Sequence, residues 1–500
     1  MTQAKTLPTP PSPSSSPSSP PAMALPSYYS YAIVFLVSIA VRLSPSFAAS
    51  SLTTTVRAGY YLAADARLRP LAALDASLYT HLYYVALPVD PTTRASPVVP
   101  ADPDQARLLA AFSSELKSRN PALRTLLSVG AADLASSSAP NQQTTEDPAF
   151  AAMAADPSSR ASFAAAAVSL AEAHGFDGLD LAWRYPSSAA EMASLGLLLA
   201  DLRAAAPRGF LLTAAVYFSD HVFASPHPGV DYPAEAMARC LDWANVVAFG
   251  LRPGPPPPNA TTAFDAPLYD RASHFSASYG VVSWADAGLP AANLLMGLPL
   301  YGRSWVLRNK AHDDVGAPVV AAGPKQRRGT NATGVMSYAE VQRLAAAGKG
   351  SVVTTTNYDN ASVASYLSVG GVWVAFDGAA VVDEKLAFAA RRGMLGYFLW
   401  PVNYDDANFT VSRRATLNFV AASEAWMKNI QQVSSNSRNN GTVGKQAQEP
   451  VRVPPALQSP ARTPVPMPAP TSGSKHWRLP WRKLDLFLQL GLLIIILLWS

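Results

Sequence analysis

Of the chain's 500 residues, 49% are hydrophobic and 15% charged, with ten Trp and nineteen Tyr, so a large core can be buried and a disordered polyelectrolyte is excluded. The formal net charge of +5 is small and owes part of its excess to Lys475, Arg478, Arg482 and Lys483, so it carries no nucleic-acid footprint. Cys240 is the only cysteine, which rules out an internal disulfide framework and leaves the compartment open.

Residues 1–48 read as a leader. A Pro/Ser tract over 7–22 cannot pack, the apolar run Tyr31–Val41 has the length of a signal h-region, and Ser46 and Ala48 suit the small positions before a cleavage point. Met23 offers an alternative start, and an uncleaved anchor is the alternative reading of the apolar run.

Over 49–428 short apolar runs alternate with longer Ala-rich amphipathic segments. Strands are expected at 56–63, 78–88, 123–130, 175–183, 209–218, 243–250, 293–302 and 393–400. Helices are expected between them, among them segments opening at Asp104, Ser159 and Ser187 on capping residues. Eight strands with intervening helices predict the α/β class and a closed (β/α)8 TIM barrel. The alternative, an open doubly wound sheet, lacks its usual Gly-rich loop after the first strand. Residues 308–375 carry strand and helix patterns of their own ("GVMSYAEVQRLAAAG", "SVVTTTNYD") and predict a small α+β insertion among the βα loops.

Residues 429–474 read as a disordered Pro-rich linker and 475–500 as a basic spacer with an apolar tail. The tail Leu486–Ser500, as a helix of 15 residues, reaches about 22 Å, short of a bilayer core of about 30 Å. With the small residues Ser472, Gly473 and Ser474 before the spacer, it reads as a lipid-anchor signal. A membrane-spanning tail or a truncated receptor are the alternatives. Five sequons, at Asn259, Asn331, Asn360, Asn408 and Asn440, agree with passage through the secretory route and with a place outside the cell, at the outer face of the plasma membrane.

The chemistry-bearing stretch is "GFDGLDLAWRYP" at 175–186. On an extended strand Asp180, Ala182 and Arg184 share one face, and Asp177 lies in the turn before them. As a fourth barrel strand, it would turn that face inward and place Arg184 at the C-terminal mouth, where barrel sites are built. No His or Cys spacing matches a metal site, so His81 and His174 are expected to be structural, and no cofactor is implied.

This stretch resembles the active-site signature FDGxDxDWEYP of family 18 glycoside hydrolases, the chitinases. The resemblance runs from about residue 54 to 425. "LLSVGA" is similar to that family's SxGG strand end, "WANVVAFG" to its sixth strand and "GYFLW" to its eighth, while the insertion resembles that of plant class V chitinases. It implies a substrate-assisted mechanism, in which a Glu protonates the glycosidic oxygen while an Asp two residues earlier orients the substrate's N-acetyl group for attack. Asp177 and Asp180 match the signature, but Ala182 stands where the Asp belongs and Arg184 where the Glu belongs. Ala131 replaces the second Gly of SxGG, and Phe249-Gly250 replaces a Tyr-Asp pair.

A guanidinium with a pKa above about 12 donates no proton near neutrality, and loss of a general acid alone costs about 10²–10⁴-fold in rate. The expectation is therefore a chitinase-like protein without an intact catalytic set. Family-like positions for lining a sugar groove are Tyr60, Tyr61, Phe249, Tyr301, Arg303, Trp373, Asp377 and Trp400. The implied partner is chitin, a chito-oligosaccharide or a related glycan, with a protein at the cell surface as a further partner. Residual glycosidase activity and inhibition of another hydrolase are the rival readings. Arg184 either fills vacated space and offsets Asp180, or meets sugar hydroxyls or an acidic ligand.

Overall fold

The computed structural model describes residues 55–130, 147–223, 229–251, 260–324, 333–347 and 354–439. The leader, most of the Pro-rich segment, the tail with Ser472, Gly473 and Ser474, Ala131, and the sequons at Asn259, Asn331 and Asn440 lie outside the described residues.

Eight parallel strands close into a barrel in sequence order: β1 (Val56–Leu62), β2 (His81–Leu87), β3 (Arg124–Gly130), β4 (Gly178–Ala182), β5 (Leu211–Val216), β6 (Trp243–Val246), β7 (Leu294–Pro299) and β8 (Gly396–Trp400), with β8 returning to β1. The strands are short apolar runs, buried from both sides by the barrel interior and the outer helices, as parallel sheets require. The expected (β/α)8 barrel is thus the observed architecture.

Helix starts differ from those expected, two of them for one local reason. The helix Pro103–Arg119 opens after Asp102, which accepts from the amides of Asp104 and Gln105. The helix Pro157–Ala173 opens after Asp156, and the helix Ala189–Ala205 after Ser188. An Asp-Pro pair is the stronger signal because Pro at the first helical position has no amide to leave unpaired. The last helix, Thr410–Asn439, runs past the linker boundary expected at 429. No Pro interrupts it, and Glu, Ala, Met, Lys and Gln favour continuation. Among the described residues, no helix is long and apolar enough to cross a membrane.

The insertion begins earlier than the expected residue 308. β7 ends at Pro299, and Tyr301–Leu307 already belongs to a second, antiparallel sheet in the order 319–322, 301–307, 372–376, 364–369, 354–359. Residues 335–337 pair on the 301–307 strand, and the helix Tyr338–Ala347 covers one face. Trp305 lies opposite Trp373, and both join Phe264 and Tyr366 in a hydrophobic cluster separate from the barrel core. This explains why 301–307 leaves the barrel: its apolar residues have a core of their own to fill.

Candidate functional site

Register decides what meets inside the barrel. Ser128 of β3 and Thr213 of β5 flank Asp180 of β4 at the same level. Tyr60 and Tyr83 are likewise level on β1 and β2, and their rings stack at 4.3 Å. Asp180 has no exposed surface, and its two oxygens accept four hydrogen bonds: Thr213 Oγ1 at 2.7 Å and Asn245 Nδ2 at 3.1 Å to Oδ1, Ser128 Oγ at 2.8 Å and the Tyr60 hydroxyl at 3.0 Å to Oδ2. Burial pushes its carboxyl above the usual range, against those four donors, which favour the charged form. Burial and then the Asp180 charge raise the Tyr60 and Tyr83 phenols well out of reach of titration.

The network continues outward. Asn245 Nδ2 also lies 2.8 Å from the Tyr60 oxygen and 3.3 Å from that of Tyr83, which accepts from Trp243 Nε1 at 3.1 Å. A carboxyl so enclosed is a structural keystone with no free lone pair turned to the mouth. Ser128, Thr213, Asn245 and Tyr83 escaped the sequence reading. Their signal was a polar or phenolic residue at an inward position of an otherwise apolar run, such as Ser128 in "LLSVG".

At the next inward position Ala182 lies level with Gly130, and a Cβ at Gly130 would come within 2.3 Å of the Ala182 carbonyl oxygen. The strands therefore approach closely where the family motif has its orienting Asp. Arg184 follows, 4% exposed, just beyond the end of β4. The acid-donating position is thus held by a buried guanidinium, and Asp180 lies four residues earlier in the chain, within β4.

Four of the expected groove residues come together. Tyr60 lies 5.2 Å from both Trp400 and Phe398, and Phe249 lies 6.0 Å from Phe398 and 6.1 Å from Tyr301. All are buried, Trp400 and Phe249 completely. The Trp400 indole N–H has no hydrogen-bond partner among the described residues. Arg303 stands beside Asp265, a residue not singled out in the sequence: Nε to Oδ1 is 3.5 Å, and Asp265 Oδ2 accepts from the Tyr301 hydroxyl at 3.0 Å and the Gly250 amide at 3.2 Å.

Of the other expected residues, Tyr61 and Trp373 are placed elsewhere, while Asp377 lines a small cavity together with Tyr301 and Asp265. Tyr61, one step from Tyr60, faces the helix layer, where its ring meets Phe112 and its hydroxyl donates to the Arg69 carbonyl at 2.9 Å; it does not line the barrel mouth, because side chains alternate along a strand. Trp373 stacks on Tyr366 at 5.0 Å inside the insertion, with its indole N–H on the Asp313 carbonyl. Asp377 pairs at 2.5 Å with the fully buried Lys385, which also donates to the Ala266 carbonyl, and burial pushes the Asp377 carboxyl up.

Asp177 sits at the opposite end of the barrel. Burial resists its ionisation, but Lys117, the Thr125 amide and Arg124 outweigh that and hold the carboxyl below its usual range. Nearby His81 is pushed down to about 4 by burial and by Arg124. Among the described residues, no group of three or more His, Cys, Asp or Glu is placed to hold a metal. Asn360, in a turn after the strand 354–359, and Asn408 are both exposed.

Three comparisons agree with this geometry. The family model described as glycosyl hydrolases family 18 matches residues 56–405. A class V chitinase of Arabidopsis thaliana is 33% identical over 383 residues, covering 75% of this chain and 90% of the relative. Among solved structures, a class V chitinase from Nicotiana tobaccum in complex with NAG4 is 30% identical, with a TM-score of 0.63, covering 73% of this chain and 99% of that one. A chitinase-like agglutinin from Robinia pseudoacacia is 28% identical, with a TM-score of 0.59, covering 72% and 99%.

Proposed function

The chain belongs to glycosyl hydrolases family 18, and we propose that within it this protein binds a chito-oligosaccharide or related glycan without hydrolysing it. The observation that carries this reading is Arg184, buried at the mouth of β4 where the reaction needs a proton donor. A guanidinium stays protonated through any physiological pH and cannot serve as a general acid. Ala182 offers nothing to orient an acetamido group, and Phe249-Gly250 offers neither hydroxyl nor carboxylate. Asp180 is committed to four internal donors.

What persists is an aromatic cluster, Tyr60, Phe249, Tyr301 and Trp400, beside the Arg303–Asp265 pair. Flat apolar rings with a few fixed polar groups are what sugar recognition uses. The agglutinin's likeness supports a binding role on this fold, and the tobacco enzyme's complex supports an N-acetylglucosamine oligomer as the ligand class. The glycan would be met outside the cell, at the plasma membrane if the C-terminal tail directs an anchor.

Calorimetric titration of the core, residues 49–449, with the N-acetylglucosamine tetramer, assayed in parallel for cleavage, tests the proposal. Saturable binding with intact sugar is expected. Cleavage would overturn the non-catalytic reading. One observation favours a second reading: Trp400 and Phe249 have no exposed surface, so the rings back the mouth without forming an open floor. A folded protein that ignores the tetramer would select a protein partner at the cell surface instead.

A further inference from the structure

Where the insertion meets the barrel, a small cavity leaves about 10 Å³ for the centre of a water molecule. Its lining includes Asp265, Tyr301, Ser365, Phe376 and Asp377. Asp265 is the telling residue. Its side chain is 6% exposed; Oδ2 accepts from Tyr301 and from the Gly250 amide, while Oδ1 accepts no hydrogen bond. The nearest cationic atom, Arg303 Nε at 3.5 Å, is too far for one and is itself without a partner. A buried carboxylate oxygen that accepts no hydrogen bond is costly even beside a cation, and proteins seldom tolerate it without a solvent molecule.

We propose that this cavity is a built site for one water molecule, which donates to Asp265 Oδ1 and to the Asp377 carboxylate and so ties the insertion to the barrel. The volume is the lower limit for a single water, and the wall offers the two to four polar groups such a molecule needs: the two carboxylates, the Ser365 hydroxyl and the Tyr301 phenol. Charge selects water over a cation. The two carboxylates already face two cations, with Lys385 2.5 Å from Asp377 and Arg303 beside Asp265, so a further positive ion would meet a balanced site. Asp265 thus takes the Tyr301 hydroxyl and the Gly250 amide on one oxygen and the water on the other.

A crystal structure at a resolution that shows ordered solvent is the direct test. The expected result is one solvent peak within about 2.6–3.2 Å of Asp265 Oδ1 and of an Asp377 oxygen. A dry cavity, or a peak with the short multiple oxygen contacts of a metal ion, overturns the proposal. The variant Ser365→Val supplies an independent sign. Added methyl volume would expel the water and strand Asp265 Oδ1, lowering the Tm. In a dry cavity the same methyl fills space, and an unchanged or raised Tm would refute the site.

Discussion

Replacing Asp180 by alanine should be among the most damaging single changes in the barrel, although no chemistry depends on it. The carboxyl is fully buried and accepts from Tyr60, Ser128, Thr213 and Asn245. Each buried donor left without an acceptor costs about 1–3 kcal/mol. Three of the four are hydroxyls that can rotate, and Asn245 Nδ2 keeps the Tyr60 and Tyr83 oxygens, so about half of the donors are stranded. Adding the lost packing, and subtracting the relief from no longer burying a carboxyl, leaves a destabilisation of about 3–5 kcal/mol. Asp180→Asn keeps the shape and one acceptor oxygen, and its amide can face Ser128 and Tyr60 as acceptors, so about 1–2 kcal/mol is expected. Urea denaturation followed by circular dichroism measures both. An alanine variant within about 0.5 kcal/mol of the parent, or an asparagine variant as damaging as alanine, would refute the keystone reading.

The remaining predictions are independent of it. His81 is held neutral in the fold, with its pKa down at about 4 from an ordinary 6.5, so its contribution is whole above pH 6.5 and is lost as pH falls towards 4. The loss reaches up to about 3 kcal/mol, and the urea midpoint of His81→Gln should depend less on pH across that window than the parent's. The double variant Ala182→Asp, Arg184→Glu should remain without turnover on a fluorogenic chito-oligosaccharide, because Phe249-Gly250 still lacks the polar pair. Measurable hydrolysis would show that only the two acids had been lost. Expressed through a secretory pathway, the protein should lose one glycosidase-sensitive gel shift with each of Asn360→Gln and Asn408→Gln, since both side chains are exposed in turns. An unshifted parent would sink the secretory reading of these sequons.

Periodicity alone determined a good deal. Eight apolar runs spaced by helical segments point to a parallel α/β fold, and the absence of a Gly-rich loop after the first strand favours the closed barrel, which the structure has, over an open doubly wound sheet. Strand alternation placed Asp180 and Ala182 on one face, and once the resemblance to the family 18 signature marks position 184 as that of the general acid, the arginine there rules one out without any coordinates.

Tertiary structure decided the rest. Nothing near Tyr61 in sequence reveals that it turns to Phe112 while Tyr60 turns to Asp180, because inward and outward become defined only when the barrel closes. Trp373 looks like a groove residue until the insertion sheet forms its own core, and Asp377 looks like a free acid until Lys385 is drawn in to neutralise it. Asp265 gains meaning only through Gly250, Tyr301 and Arg303, which meet it from the end of β6 and from the strand that leaves β7. A strand pattern states which side of the chain is buried; which distant side chain waits there depends on closure of the sheet, and buried polar groups must then find partners across it.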